Sequence, residues 1–268
     1  IGDATTTVVG GGSSDTISVN AAGMTTNGDR LILSGNSAVT VTGLVEDLDA
    51  NGDSGQSVSA LSGILTVTTG GLANNAGLNI DLGTNSATIN TTETGTAGPE
   101  TDVIVDAAAM LANKTVTLTG NAEVAVDGVR GTVDAESLTG DLDVDTANSS
   151  TATVLTGSGS TLVSAASNSD VTVEADQLSV DTNTGSVTYE LTVDGSGTMT
   201  VNDLSADLDA NASTGVLSVN TTADADVNIK TGSNNAFIDV NGSRQGCSRL
   251  SREQGGREAS RLTFKVAS

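Results

Sequence analysis

An eighteen-residue stretch that occurs three times constrains this chain more than any other feature. Residues 33–50 (LSGNSAVTVTGLVEDLDA) return without gaps as residues 118–135 (LTGNAEVAVDGVRGTVDA) and residues 193–210 (VDGSGTMTVNDLSADLDA). Each copy has Gly at its third position, apolar residues at its seventh and ninth, and Asp-Ala at its end. The copies begin 85 and then 75 residues apart. Flanking segments recur with them. Asp15-Thr-Ile-Ser-Val precedes the first copy, Asp102-Val-Ile-Val-Asp the second and Asp170-Val-Thr-Val-Glu the third. Behind the copies come Ser62-Gly-Ile-Leu, Thr139-Gly-Asp-Leu and Thr214-Gly-Val-Leu. Self-similarity at this scale reads as an array of stacked units rather than one irregular core. It divides the chain into repeats at 13–98, 99–166 and 167–242, with 1–12 as the end of a preceding repeat.

Within each repeat the hydrophobic period is two. Val39 and Val41, Val124 and Val126, Leu78 to Leu82, and Leu217 to Val219 alternate with Thr, Ser, Asn or Asp. Such alternation with β-branched residues is the signature of a strand buried on one face. Gly35-Asn36, Gly120-Asn121 and Asp194-Gly195 punctuate the runs as turns. With two Phe, one Tyr and no Trp, a core built on aromatic side chains is out of reach. A thin interior of Val, Leu, Ile and Ala suits a solenoid, in which each coil covers its neighbour. The expected fold is therefore all-β: a right-handed parallel β-solenoid, β-roll or β-helix-like, of three long repeats. Tandem β-sandwich domains are the alternative, and the high charge keeps disorder as a third reading. A strand about every ten residues predicts four two-strand coils per repeat and about twelve in all. At roughly 4.8 Å per coil that is a rod of about 55–60 Å. The one helix candidate is Asp106 to Leu111, DAAAML.

Charge sets the class of partner. The chain carries 33 acids against 10 Lys plus Arg, and six of those bases lie after residue 242 beside only Glu253 and Glu258. Residues 1–242 thus hold 31 acids and four bases, a net charge of −27. Such a body repels nucleic acid and anionic membrane surfaces and attracts cations. No apolar run reaches the eighteen or so residues that span a bilayer, so membrane insertion is not expected. The single cysteine, Cys247, rules out an intrachain disulfide framework. Residues 243–268 are basic, match no repeat and are expected to form a disordered tail. The chain opens on Ile1 and is read as a segment of a longer protein.

Two patterns point to calcium. Gly10, Gly11, Ser13, Asp15 and Ile17 fall on the G-G-x-G-x-D-x-U-x nonapeptide, with Ser13 at the third glycine position. Asp47, Asp49, Asn51, Gly52 and Asp53 follow the D-x-[DN]-x-[DN]-G opening of a calcium loop, in which alternate oxygens face the ion. Val58 stands where an EF-hand would place its bidentate Glu, so the loop is not an EF-hand. The candidate metal ligands are Asp47, Asp49, Asn51, Asp53 and Asp15. The other copies offer Thr132, Asp134 and Glu136, then Asp207, Asp209 and Asn211. A turn-capping role for Asp49, Asp134 and Asp209 is the competing reading.

The chain resembles the long Thr/Val/Gly/Asp-rich repeat regions of secreted bacterial surface proteins, including repeats-in-toxin adhesins and calcium-dependent surface-layer proteins. That resemblance implies export to the cell surface, folding on meeting extracellular calcium, and a spacer or lattice role beside neighbouring repeats or protomers.

Chemistry has few residues to use. No His is present, which removes His-dependent triads and the common zinc sites. No catalytic or cofactor-binding residue is assigned, and the chain is expected not to be an enzyme. A carbohydrate-active or carbohydrate-binding β-helix, with cell-surface polysaccharide as partner, is the alternative because carboxylate pairs suffice for glycoside hydrolysis. A third reading is an ice- or surface-binding solenoid, on Thr pairs such as Thr66 and Thr68 or Thr117 and Thr119. A ladder of aligned Thr would favour it.

Overall fold

The computed structural model describes residues 1–25, 29–50, 61–72, 77–94, 101–175, 178, 191–222, 227–233, 235–239 and 261–263. Its strands fall into two sheets, and successive strands alternate between them. The strands in chain order begin with β1 (Thr6–Gly10), β2 (Thr16–Asn20), β3 (Arg30–Gly35), β4 (Ala38–Leu44), β5 (Asp47–Asp49) and β6 (Leu65–Leu72). Next come β7 (Leu78–Asp81), β8 (Ala87–Glu93), β9 (Val103–Asp106), β10 (Thr115–Gly120), β11 (Val124–Val129) and β12 (Thr132–Leu138). Then follow β13 (Leu142–Thr146), β14 (Thr151–Leu155), β15 (Thr161–Ala165), β16 (Asp170–Glu174), β17 (Leu191–Gly195) and β18 (Thr198–Leu204). The last are β19 (Leu208–Asp209), β20 (Leu217–Thr221), β21 (Asn228–Lys230), β22 (Ala236–Asp239) and β23 (Arg261–Thr263).

Sheet I holds the odd-numbered strands in order and sheet II the even-numbered ones. Every neighbouring pair from β1 to β22 is parallel. This is a parallel β-solenoid. Tandem sandwiches are overturned, because sandwich domains are antiparallel and would interrupt the sheets at each repeat boundary. The parallel part, β1 to β22, puts eleven strands in each sheet, which at roughly 4.8 Å span about 50 Å.

Alternation of side chains builds the interior. Leu31, Leu33, Leu48, Leu78, Ile80, Val103, Val105, Val124 and Val126 face inward from sheet I, and Val39, Val41, Leu65, Val67, Ile89, Val116 and Leu118 from sheet II. They form one apolar cluster running the length of the stack. Each coil alone buries too little, so stability comes from the neighbours on either side.

The recurring stretch occupies β4, β11 and β18, seven strands apart. Its preceding segment lies in or just before β2, β9 and β16, and the segment behind it leads into β6, β13 and β20. One long repeat is therefore three and a half coils, not the expected four. Since seven is odd, each repeat exchanges the sheets. The copies lie on sheet II, then sheet I, then sheet II.

Two backbone positions explain the shared glycines. Gly35, Gly120 and Gly195, the third residue of each copy, have φ of 95°, 109° and 91°. A Cβ there would overlap the carbonyl oxygens of Gly10, Thr91 and Ala165 one coil below. The eleventh position is Gly43, Gly128 and Asp203, with φ of 70°, 74° and 52°. Each inserts one extra residue against the next strand, a β-bulge. Asp is one of the few side chains that enters this left-handed region readily.

The expected helix at Asp106 to Leu111 is replaced by a corner. Asp106 ends β9, its Oδ1 accepts the Ala108 amide at 2.8 Å, and the Met110 amide donates to the Ala107 carbonyl at 2.9 Å. The side chain of Asp offers the backbone a turn in place of a helix. Beyond residue 242 the structure describes only β23, antiparallel to β21. The rest of the tail expected to be disordered lies outside the described residues.

Candidate functional site

The outer face of sheet I carries a ladder of carboxylates. Asp49 on β5 is in register with Asp81 on β7, Asp81 with Asp106 on β9, and Asp106 with Asp127 on β11. Val126 is paired with Val144 one position earlier, which brings Asp145 on β13 next to Asp127. Each Asp follows an inward-pointing Leu, Ile or Val; Asp127 and Asp145 are exposed and Asp81 and Asp106 half-buried, whereas Asp49 is fully buried beside Arg30. The parallel register then stacks them at a rung spacing of roughly 4.8 Å. Like charges directly opposite one another in a sheet are unfavourable.

Burial and like charge act together on two of the rungs, Asp81 and Asp127, and on two acids nearby. The Asp81 carboxyl is raised above the ordinary value of 3.8, first by burial and then by Asp49 and Asp106, with Arg30 acting in the other direction. Asp127 is raised by burial, Asp145 and Asp106. Asp143, on the neighbouring outward position of β13, is raised by burial, Asp145, Asp127 and Asp194. Glu123 at the nearby corner is raised by burial and then by Asp141, Asp102, Asp143 and Glu93.

At the N-terminal end of the ladder the charge is compensated. Arg30 on β3 reaches Asp47 at 3.8 Å and Asp49 at 4.0 Å. Asp47 Oδ1 also accepts the backbone amide and the side-chain amide of Asn79 at 3.1 and 3.2 Å. The third copy repeats the arrangement on the same sheet. Asp207 accepts the backbone amide of Asn228 at 2.6 Å and its side-chain amide at 3.0 Å, while Lys230 pairs with Asp209 at 3.1 Å. The second copy places Asp134 and Glu136 on sheet II instead.

Of the five candidate calcium ligands, the three among the described residues are not gathered at one point. Asp47 and Asp49 share β5 and face Arg30, whereas Asp15 sits in the corner before β2 on the other sheet. Its carboxylate lies over Gly12, so that a Cβ on Gly12 would meet Asp15 Oδ2 at 2.7 Å, and its amide donates to the Gly12 carbonyl at 3.1 Å. Asn51 and Asp53 lie outside the described residues. Among the described residues no three Asp, Glu, Cys or His side chains converge on a point that would hold a metal. Asp15 thus lies apart from Asp47 and Asp49, and these three alone do not make up the roughly six to eight oxygens that Ca²⁺ takes. Turn capping is visible at Asp209, whose Oδ1 accepts the Asn211 amide at 2.8 Å.

Sequence reasoning picked out Asp47 and Asp49 but missed Asp81, Asp106, Asp127 and Asp145. Each of the latter ends or follows an alternating apolar pair, and that recurrence is the signal that could have found them. The opposite face differs in kind. Sheet II turns Thr, Ser and Asn outward from β2 to β10, including Thr66, Thr68, Thr117 and Thr119. A scan against protein-family models finds no match, and neither the curated proteins nor the solved structures show a significant similarity to this chain.

Proposed function

We propose that the chain is a non-enzymatic structural segment of a bacterial extracellular surface protein, a stiff spacer in an adhesin stalk or a surface-layer component. The observation that carries this reading is the uninterrupted pair of parallel sheets through all three repeats. A stack of that kind transmits force through many short inter-strand ladders and one continuous apolar strip. Its polar outer faces keep the rod solvated, and the surplus of carboxylates keeps neighbouring rods from collapsing together. Cations act in this reading as counter-ions along the sheet I ladder. Neighbouring repeats or protomers are the natural partners of such a segment.

Small-angle scattering of the chain, alone and with a panel of bacterial polysaccharides, tests the proposal. The expected result is a rod with a long dimension of about 50 Å, no saturable polysaccharide binding and no release of reducing ends. Release of reducing ends, or tight binding to one polysaccharide, would replace the spacer reading with the carbohydrate-directed one.

A further inference from the structure

We propose that the outer face of sheet II between β2 and β10 is an ice-binding plane. Five successive strands present two outward residues each: Ser18 and Asn20, Thr40 and Thr42, Thr66 and Thr68, Thr88 and Asn90, Thr117 and Thr119. The pairings are in strict register, Ser18–Thr40–Thr66–Thr88–Thr117 in one rank and Asn20–Thr42–Thr68–Asn90–Thr119 in the other. The residues between the ranks, Val19, Val41, Val67, Ile89 and Leu118, are buried. The result is a two-by-five grid. Rungs repeat at roughly 4.8 Å and the ranks lie about 6.6–7 Å apart, so the grid runs about 19 Å along the stack.

Three features match a solid water surface. The grid contains no charged residue, in a chain whose net charge is −23. A charged group binds its own hydration shell, whereas a Thr offers one hydroxyl and one methyl. The side chains are also held still. Thr is restricted at χ1, and in the second rank Asn90 joins Thr68 at 3.4 Å and accepts a hydrogen bond from the Thr119 hydroxyl. Finally, the first rank is unengaged. The hydroxyls of Thr40, Thr66, Thr88 and Thr117 make no hydrogen bond to any described residue. Fixed, evenly spaced hydroxyls with spare hydrogen-bonding capacity order water at small entropic cost. A single water gains little from such a site. A crystal face with rows of oxygens at similar spacing engages the whole grid at once, and the weak contacts then add as in any multivalent attachment.

The plane has defined limits. Beyond Thr117 the same rank continues to Asp134 on β12 and, through Leu155, to Glu174 on β16. Sheet I is excluded by its carboxylates. The ice plane is thus the N-terminal half of one face.

Partition of the whole chain into a slowly grown ice front, together with thermal hysteresis, tests the proposal. The wild-type chain is expected to enter the ice and to show hysteresis. Thr66→Lys and, separately, the more exposed Thr40→Lys are expected to lose both while keeping the wild-type circular dichroism spectrum at the same temperature. Asp127→Asn on the opposite face is expected to leave both unchanged. The proposal is overturned if the wild-type chain is excluded from ice, if both folded Lys variants partition as the wild type does, or if Asp127→Asn abolishes partition. Binding to crystalline cellulose or chitin without ice partition would overturn it too. None of these results bears on the rod shape, so the spacer reading is decided separately.

Discussion

Asp81 on β7 and Asp106 on β9 are direct partners in the parallel register of sheet I, and both carboxylates point outward. No described base forms an ion pair with either of them. Asp49 and Asp127 extend the same row on the two sides. The fold therefore holds like charges at a separation the unfolded chain would never choose.

Mild acid should stabilise this protein. Asp81, Asp127, Asp143 and Glu123 all bind their protons more tightly folded than unfolded. For a raised carboxyl the folded state takes up the proton first as pH falls, so stability rises as pH drops through the raised values. The gain is complete below the ordinary values of 3.8 for Asp and 4.5 for Glu, and it is lost again as pH climbs through the raised ones. Thermal melts followed by far-ultraviolet circular dichroism should show Tm increasing as pH falls from 7 towards the ordinary carboxyl values. A flat or falling Tm over that range would mean that the ladder is compensated by groups outside the described residues.

Neutralising one rung should do at pH 7 what acid does for several. Asp127→Asn removes a charge flanked by Asp106 and Asp145. The expected gain is about 0.5 kcal/mol, in the lower part of the range for cross-strand charge pairs because the site is exposed. Urea titration at neutral pH reads it as a higher midpoint with an unchanged slope, and the difference should vanish near pH 3.

Salt should act on the same term. Sodium chloride is expected to raise Tm as it screens the row, and calcium chloride at equal ionic strength is expected to do so by a similar amount. A saturable calcium effect well beyond the matched sodium control would place a chelating site in the chain, with Asn51 and Asp53 as the first ligands to substitute.

Two glycines of positive φ should respond very differently to alanine. Gly120, at φ 109°, has the Thr91 carbonyl oxygen in the space a Cβ would fill. Gly120→Ala must move the β8–β10 ladder and is expected to cost about 3 kcal/mol. Gly77, at φ 61°, has nothing within 4 Å of that space, and its substitution should cost about 1 kcal/mol for the left-handed backbone alone. Urea midpoints of the two variants make the comparison.

Much of the architecture was legible because it rests on local rules. The period of two at Val39 and Val41, or at Val124 and Val126, states which side chains go inward, and the glycine at the third position of each copy marks a crowded corner. The strand count per repeat was not legible. Copies one and two are separated by 85 residues and copies two and three by 75, and a ten-residue tempo turns either into about eight strands when there are seven. The tempo fails because the spacing between strands is uneven: β5 ends at Asp49 and β6 begins at Leu65, whereas β13 ends at Thr146 and β14 begins at Thr151. The carboxylate row was hidden for the same reason. Asp49, Asp81, Asp106, Asp127 and Asp145 are 32, 25, 21 and 18 residues apart in sequence, and only inter-strand register makes them neighbours. Asp106 to Leu111 misled in the opposite way, since an alanine-rich run favours helix but six residues cannot outweigh the sheet that ends inside it.

The odd number of strands in a repeat bears on the curvature of the stack. Each bulge, at Gly43, Gly128 and Asp203, bends the strand that contains it. With an even count all three would lie on one side and their bends would add, coiling the stack like a spring. With seven, the bulge at Gly128 lies on the side opposite the other two and opposes their curvature. Bends that alternate between the two sides do not accumulate from one repeat to the next.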